Sequence, residues 1–495
     1  MARQYFGTDG VRGRVGEHPM TVDFALRLAS AAARVLAADG GSVLIGKDTR
    51  VSGYMFEAAL EAGFVAAGVD VLLAGPLPTP GIAHLTQRLG CNFGVVISAS
   101  HNPYEDNGIK FFDGSGGKLS DELEERIEQE LAAAPTTRDS SRLGRARRVD
   151  FERRLYQDFC RGTMPHGVDL KGLKIVVDSA NGAAYKVAPR TLADLGAEIV
   201  PIGSAPNGRN INAGCGSTSP ELLQLTVPGV HADVGVALDG DGDRLLMVDA
   251  LGRIVDGDQL LYIIACARKA AGRLKGPVVG TLMSNLGLEL ALRERGIGFE
   301  RAAVGDRYVL ARLRETGGEL GGETSGHVLC LDSTTTGDGL ITALQVLAIM
   351  RQTGKSLAEL AAGMTRLPQV MLNVKVARRF EPGGVPAVQA MLRFMAAYSE
   401  TRATCSKQAR SGLSPGPYGS RGSGKRKWMT RSAGNRCAVT PRQSGRMFRQ
   451  RGEHAPTPPR YGRSERARCK DPGGNYLVTT EGVPEWSLQG AFRRL

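Results

Sequence analysis

Short runs of β-branched and small apolar residues recur through residues 1–370, each ending in a polar or glycine-rich loop and followed by an Ala/Leu-rich stretch with helical spacing. Val43-Leu44-Ile45-Gly46 leads into Lys47-Asp48-Thr49-Arg50 and a predicted helix over 52–67. Gly94-Val95-Val96-Ile97 leads into Ser98-Ala99-Ser100-His101-Asn102-Pro103, and Lys174-Ile175-Val176-Val177 into Asp178-Ser179-Ala180-Asn181-Gly182. Val234-Gly235-Val236-Ala237-Leu238 precedes Asp239-Gly240-Asp241-Gly242-Asp243-Arg244, and Val278-Val279-Gly280-Thr281 precedes Met283-Ser284-Asn285. This is α/β patterning, and in open α/β sheets ligands gather beyond the C-terminal strand ends, where each of these loops falls. A charged helix is expected over 121–134, then a Pro/Thr/Ser-rich connection, with further breaks near 250 and at Leu367-Pro368. The breaks mark three similar α/β domains in tandem, at 1–152, 153–252 and 253–368, before a distinct segment at 369–495.

Composition changes this picture in two places. With 42% hydrophobic and 23% charged residues the chain has material for real cores, so disorder throughout is excluded. The net charge of +13 suggests nucleic acid until it is located: residues 401–495 hold 20 Lys and Arg against 5 Asp and Glu, leaving the body at −2. In that tail Gly, Ser, Arg and Pro dominate, periodicity vanishes, and no fold is assigned. Its Gly-Ser-Arg-Gly-Ser-Gly-Lys-Arg run at 419–426 imitates a phosphate loop, but Arg426 replaces the metal-binding hydroxyl and no strand precedes it. Eight scattered cysteines without a C-x-x-C pair give neither a disulfide framework nor a zinc site. No apolar run approaches membrane-spanning length and no signal-peptide segment opens the chain. A cytoplasmic protein without membrane or nucleic-acid partners is expected.

The sharpest chemical element is the 239–244 loop. Asp239, Asp241 and Asp243, spaced by glycines, can turn inward and offer hard oxygen ligands to Mg²⁺. An EF-hand would need Gly where Arg244 stands and Glu where Ala250 stands, so a calcium loop of that kind is not expected. Ser100 leaves a buried-looking strand beside His101; a serine hydroxyl needs a base, a metal or prior phosphorylation for group transfer. A capped turn accounts for that segment equally well, and it is not the G-x-S-x-G elbow of a serine hydrolase. Arg12, in Gly7-Thr8-Asp9-Gly10-Val11-Arg12-Gly13, could grip a phosphate. Glu323, Ser325 and His327 alternate along a Gly-rich loop, with groups suited to sugar hydroxyls or an amine.

Together these segments resemble the α-D-phosphohexomutase superfamily. The resemblance covers roughly residues 3–380 and rests on ordered blocks: YFGTDGVRG (5–13), ISASHNPYEDNGIKFF (97–112), VDSANGAAY (177–185), NINAGCGSTSPE (210–221), LDGDGDR (238–244), VGTLMSNLGLE (279–289), VGDRYV (304–309) and GGETSGH (321–327). It implies an enzyme interconverting glucosamine 6-phosphate and glucosamine 1-phosphate, on the way to UDP-N-acetylglucosamine for the cell wall. A phosphoglucomutase or phosphomannomutase specificity, or a form inactivated at its C-terminus, is the alternative.

By motif match, Ser100 is the phosphorylated residue and binds Mg²⁺ with Asp239, Asp241 and Asp243. The same match gives Arg12, His101 and Lys110 charge stabilisation and proton transfer, sets Arg244 beside the metal loop, and gives Glu323, Ser325 and His327 the sugar. Two departures are mild: Ser179 stands where cysteine is common, and Thr324 where glutamine is. The third is larger. The family's fourth domain clamps the distal phosphate with an R-x-S-G-T-E-P-x-x-R loop, of which no copy follows residue 370. A fourth C-terminal domain, truncated or frame-shifted, is therefore expected to begin at Val370-Met371-Leu372-Asn373-Val374-Lys375-Val376 and to dissolve into the basic tail.

Overall fold

Three separate sheets carry the fold of the computed structural model, which describes residues 4–7, 9–369 and 389. The expected fourth-domain remnant from Val370 onward lies outside the described residues. In the first sheet the strands are β1 (Val11–Arg14), β2 (Gly41–Lys47), β3 (Val69–Pro76), β4 (Phe93–Ile97), β5 (Asp106–Asp113) and β6 (Ala146–Arg148), in spatial order β1-β5-β4-β2-β3-β6. β2 pairs in parallel with β3 and β4, while β5 runs antiparallel between β4 and β1. The second sheet orders β7 (Lys174–Asp178), β8 (Glu198–Ile202), β9 (Val234–Leu238), β10 (Leu245–Asp249) and β11 (Ile254–Val255) as β11-β10-β9-β7-β8. It thus extends to Val255, just past the turn expected near 250. The third orders β12 (Val278–Thr281), β13 (Phe299–Ala302), β14 (Leu320–Gly322) and β15 (Val328–Cys330) as β13-β12-β14-β15.

The predicted helix over 52–67 is present as Ser52–Ala66, and that over 121–134 as the shorter Asp121–Glu130. Ser120 caps the latter and three acidic residues fill its first turn, complementing the helix dipole; no basic residue occupies its last turn.

β4 and β9 are buried at all five positions, as central strands covered on both faces must be. One continuous hydrophobic cluster runs through all three units, joining Leu44 and Ile82 of the first to Ile175 and Leu238 of the second and Leu260 and Leu344 of the third. Helix Gly339–Thr353, apolar around most of its circumference, lies in that shared core. Asp338 caps it through the Ile341 amide at 2.9 Å and accepts the Tyr156 hydroxyl at 2.7 Å, both partners buried. The three sheets and their helices therefore share one core. No helix among the described residues is long and apolar enough to cross a membrane.

Burial raises the Asp338 carboxyl to about 6. A raised acid contributes stability at low pH that is lost as pH climbs through the folded-state value. Tyr156→Phe leaves the carboxylate short of a donor, a loss of about 1–3 kcal/mol, and it removes a bond that favours the ionised form. Thermal melts should show the variant below the parent, with the gap widening as pH rises through about 6.

Candidate active site

β4, too apolar to sit anywhere but the core, ends at Ile97 and delivers residues 98–103 to the edge of the first unit. Asn102-Pro103 turns the chain there: the Asn102 amide bonds the Ala99 carbonyl at 3.0 Å and the Asp106 amide bonds the Pro103 carbonyl at 3.1 Å. Ser100 is buried and sits in the left-handed region with φ +50°. Its amide donates to Ser98 Oγ at 2.9 Å, and Ser98 Oγ donates to Asp48 Oδ2 at 2.6 Å.

β9 is equally apolar and hands over to residues 239–244, the link to antiparallel β10. Glycine is required twice in this loop. Gly242 has φ +75°, and a Cβ on Gly240 would stand 2.6 Å from the Ser100 carbonyl oxygen. Asp239, Asp241 and Asp243 are all buried, with one oxygen of each lying within 4.8 Å of the others. Octahedral Mg²⁺ with ligands at about 2.1 Å sets oxygens ~3.0 Å apart when adjacent and ~4.2 Å apart when opposite. Asp241 Oδ1 and Asp243 Oδ1 are buried without a hydrogen-bond partner among the described residues. Unsatisfied carboxylate oxygens converging in this way fit a hard divalent cation.

The structure brings Ser100 into this cluster, its hydroxyl donating to Asp239 Oδ2 at 2.5 Å. Lys110, on β5, is buried with its ammonium 2.7 Å from Asp241 Oδ2, 2.8 Å from Asp9 Oδ2 and 3.7 Å from Asp243 Oδ2. Burial opposes its charge, but the three carboxylates outweigh burial and hold it cationic. Asp241 is likewise resisted by burial yet stays well below the ordinary carboxylate range, because Lys110 and the Thr79 hydroxyl at 2.6 Å bond it. Asp239 moves the other way, pushed up by burial and then by Asp243 and Asp241. One cluster thus contains a carboxylate held ionised by its neighbours and one whose ionisation burial and like charge oppose.

Arg12 pairs with Asp9, and Arg244 lies 4.0 Å from Asp243 Oδ1. Both keep a buried Nε without a hydrogen-bond partner among the described residues. His101 is half-buried; burial, then Arg244 and Arg12, bring its pKa down to about 4, so the imidazole is neutral at pH 7. From the third unit, buried His327 places Nε2 at 3.9 Å from Asp243 Oδ2 and 3.6 Å from Asp306 Oδ2. Glu323 and Ser325 are farther out: Glu323 accepts the Gly305 amide at 3.0 Å and the Ser325 hydroxyl at 3.2 Å. Neither makes a described hydrogen bond to Ser100 or the carboxylate cluster, and Thr324 between them bonds Asp258 Oδ2 at 2.8 Å.

Several participants carry no mark in the sequence reading. Asp9 accepts from Arg12, Lys110 and Lys118, and Lys118 also reaches Asp306 of the third unit. Wholly buried Arg50 donates at 2.9 Å to the carbonyls of Ser100, Asn102 and Pro103, while Asp48 holds its Nε. Charge at the polar end of a buried strand, as in Lys47-Asp48-Thr49-Arg50, is the signal that could have found the last pair.

A hydroxyl among three carboxylates, ringed by cationic and imidazole groups and facing a separate polar loop, suits transfer of a phosphoryl group to a polyhydroxylated ligand. Three successive stretches of the chain match the α/β/α domains of phosphoglucomutase/phosphomannomutase: residues 3–138 match domain I, 163–252 domain II and 256–367 domain III. A phosphoglucosamine mutase of Marinomonas sp. (strain MWYL1) is 57% identical over 387 residues, covering 78% of this chain and 86% of that one. Another, from Halorhodospira halophila, is 59% identical over 388 residues, covering 78% and 85%. Among solved structures, that of a Thermus thermophilus protein described as a phosphomannomutase aligns with TM-score 0.65 at 27% identity, over 73% of this chain and 83% of that one.

Proposed function

The chain belongs to the phosphoglucomutase/phosphomannomutase family, and from that footing we propose that it interconverts glucosamine 6-phosphate and glucosamine 1-phosphate in the cytoplasm. The relatives that are 57% and 59% identical over 78% of the chain are named phosphoglucosamine mutase. The observation that carries the reading is the Ser100 hydroxyl lying 2.5 Å from one of three clustered carboxylates.

Ser100, phosphorylated in the working enzyme, gives its phosphoryl group to the free hydroxyl of the sugar monophosphate. The P–Oγ bond breaks, a bond from phosphorus to the sugar oxygen forms, and the hydroxyl proton ends on Ser100 Oγ. The resulting 1,6-bisphosphate turns over in the site and returns its other phosphoryl group to Ser100 by the reverse chemistry. Arg12, Lys110 and Arg244 stabilise charge on the transferring group, while His101, neutral at pH 7, assists the proton's passage. Asp239, Asp241, Asp243 and the phosphorylated Ser100 would hold Mg²⁺. When bound, the ion offsets phosphoryl charge and orients the group. Glu323, Ser325 and His327 grip the sugar in either orientation.

Turnover of glucosamine 6-phosphate in preference to glucose and mannose 6-phosphates tests the substrate assignment; equal turnover of all three would overturn it. Glu323→Gln tests the division of labour. It should raise the KM for glucosamine 6-phosphate on the order of tenfold, the scale of one lost charge-assisted hydrogen bond, while phosphorylation of Ser100 by the bisphosphate changes little. A slower phosphoryl step at unchanged sugar affinity would show that Glu323 serves the transfer instead.

A further inference from the structure

The carbonyl groups of the Ser100 loop are held by two side chains. Arg50, from the same unit as the loop, donates to Ser100, Asn102 and Pro103. Asn212, from the second unit, donates through one Nδ2 to the Ser100 carbonyl at 2.9 Å and the Asn102 carbonyl at 3.1 Å. Its own backbone is fixed: φ is +57°, and its amide donates to the Ala180 carbonyl at 2.8 Å. A Cβ on Gly240 would meet the Ser100 carbonyl oxygen at 2.6 Å and Asn212 Nδ2 at 2.8 Å. The Asn212 side-chain amide, the Ser100 carbonyl and the Gly240 α-carbon therefore meet at one point, and Gly240 is flanked in the chain by Asp239 and Asp241.

We propose that Asn212 is a positioning residue for phosphoryl transfer, setting the register between the Ser100 hydroxyl and the carboxylate loop. The inference rests on Ser100 being the phosphoryl carrier. Arg50 shapes the loop but shares its unit, so it cannot by itself align the loop with carboxylates that arrive on β9. Asn212 comes from the unit that carries them. Fixing both carbonyls also fixes the direction in which the left-handed Ser100 presents its side chain, and misplacement by a fraction of an ångström slows a transfer that depends on alignment.

Two variants separate this role from a conformational one. Asn212→Gly keeps a residue content with positive φ and removes the side-chain amide. Asn212→Asp keeps size and turn preference and swaps the donor for a carboxylate facing two carbonyl oxygens. The full-length protein with Mg²⁺ is mixed with glucosamine 1,6-bisphosphate, and the rate of phosphate appearance on Ser100 is followed by quenched-flow mass spectrometry. Asn212→Gly should slow that rate about tenfold and Asn212→Asp about 100-fold, with the KM for glucosamine 6-phosphate within about twofold of the parent, because the sugar loop lies in the third unit. Parent-like rates in both variants, or a loss only in KM, would overturn the proposal while leaving Ser100 as carrier. Failure of the parent itself to take phosphate on Ser100 would overturn both.

Discussion

Replacing Ser100 by alanine should stop the interconversion, lowering turnover on the order of 10⁴-fold or more, as loss of the proposed covalent carrier would. The fold should survive. The side chain is small, the residue is already in the left-handed region with φ +50°, and alanine there adds little strain that serine did not carry. The hydroxyl's partner, Asp239, still accepts the Arg244 amide at 3.2 Å, and the backbone clamp from Arg50 does not involve the Ser100 side chain. Thermal melts should place Ser100→Ala within a few degrees of the parent while the coupled assay for glucosamine 1-phosphate reads background. Ordinary turnover in this variant would remove the phosphoserine mechanism altogether.

Asp241→Asn has the second largest expected effect. Asp241 holds the charge of Lys110 at 2.7 Å and accepts the Thr79 hydroxyl at 2.6 Å, and its other oxygen is buried without a hydrogen-bond partner among the described residues. The amide removes one anion from a set of three and brings N–H donors towards the Lys110 ammonium and the proposed cation site. The Mg²⁺-supported rate should fall on the order of 10²-fold or more, with the half-saturating metal concentration raised. Titrating the rate with Mg²⁺, before and after EDTA treatment, checks it. Indifference to both the substitution and EDTA would make the acidic loop an ordinary turn.

Local pattern carried the strand-and-loop theme because a buried central strand must be apolar along its length, as Phe93–Ile97 and Val234–Leu238 are. It also singled out Asp239, Asp241 and Asp243 as candidate hard-oxygen ligands, whereas Ser100, whose segment a capped turn explains equally well, stood out only through the resemblance of its block to a known family. What sequence could not show is how far partners reach. Lys110 and Asp241 are 131 positions apart, and Ser100 and Asp239 139 apart, so their contact is a product of the packing of two sheets. Arg50 and Asn212 were missed for the same reason: their ligands are backbone carbonyls, which no side-chain motif advertises. The polar groups of the 321–327 loop were legible in sequence but their placement was not: Glu323 accepts from the Gly305 amide and the Ser325 hydroxyl, contacts that no motif announces. Helix Gly339–Thr353 has no polar face to betray its orientation, and only the shared core explains it.

The central claim is that Ser100 carries the phosphoryl group between the two positions of the sugar. Its most direct test is phosphopeptide mapping of the full-length protein after brief exposure to glucosamine 1,6-bisphosphate and Mg²⁺, followed by a chase with glucosamine 6-phosphate. Phosphate should appear on the peptide containing Ser100, at that residue, and leave it during the chase as bisphosphate forms. Phosphate on another residue, or interconversion with Ser100 unmodified throughout, would contradict it.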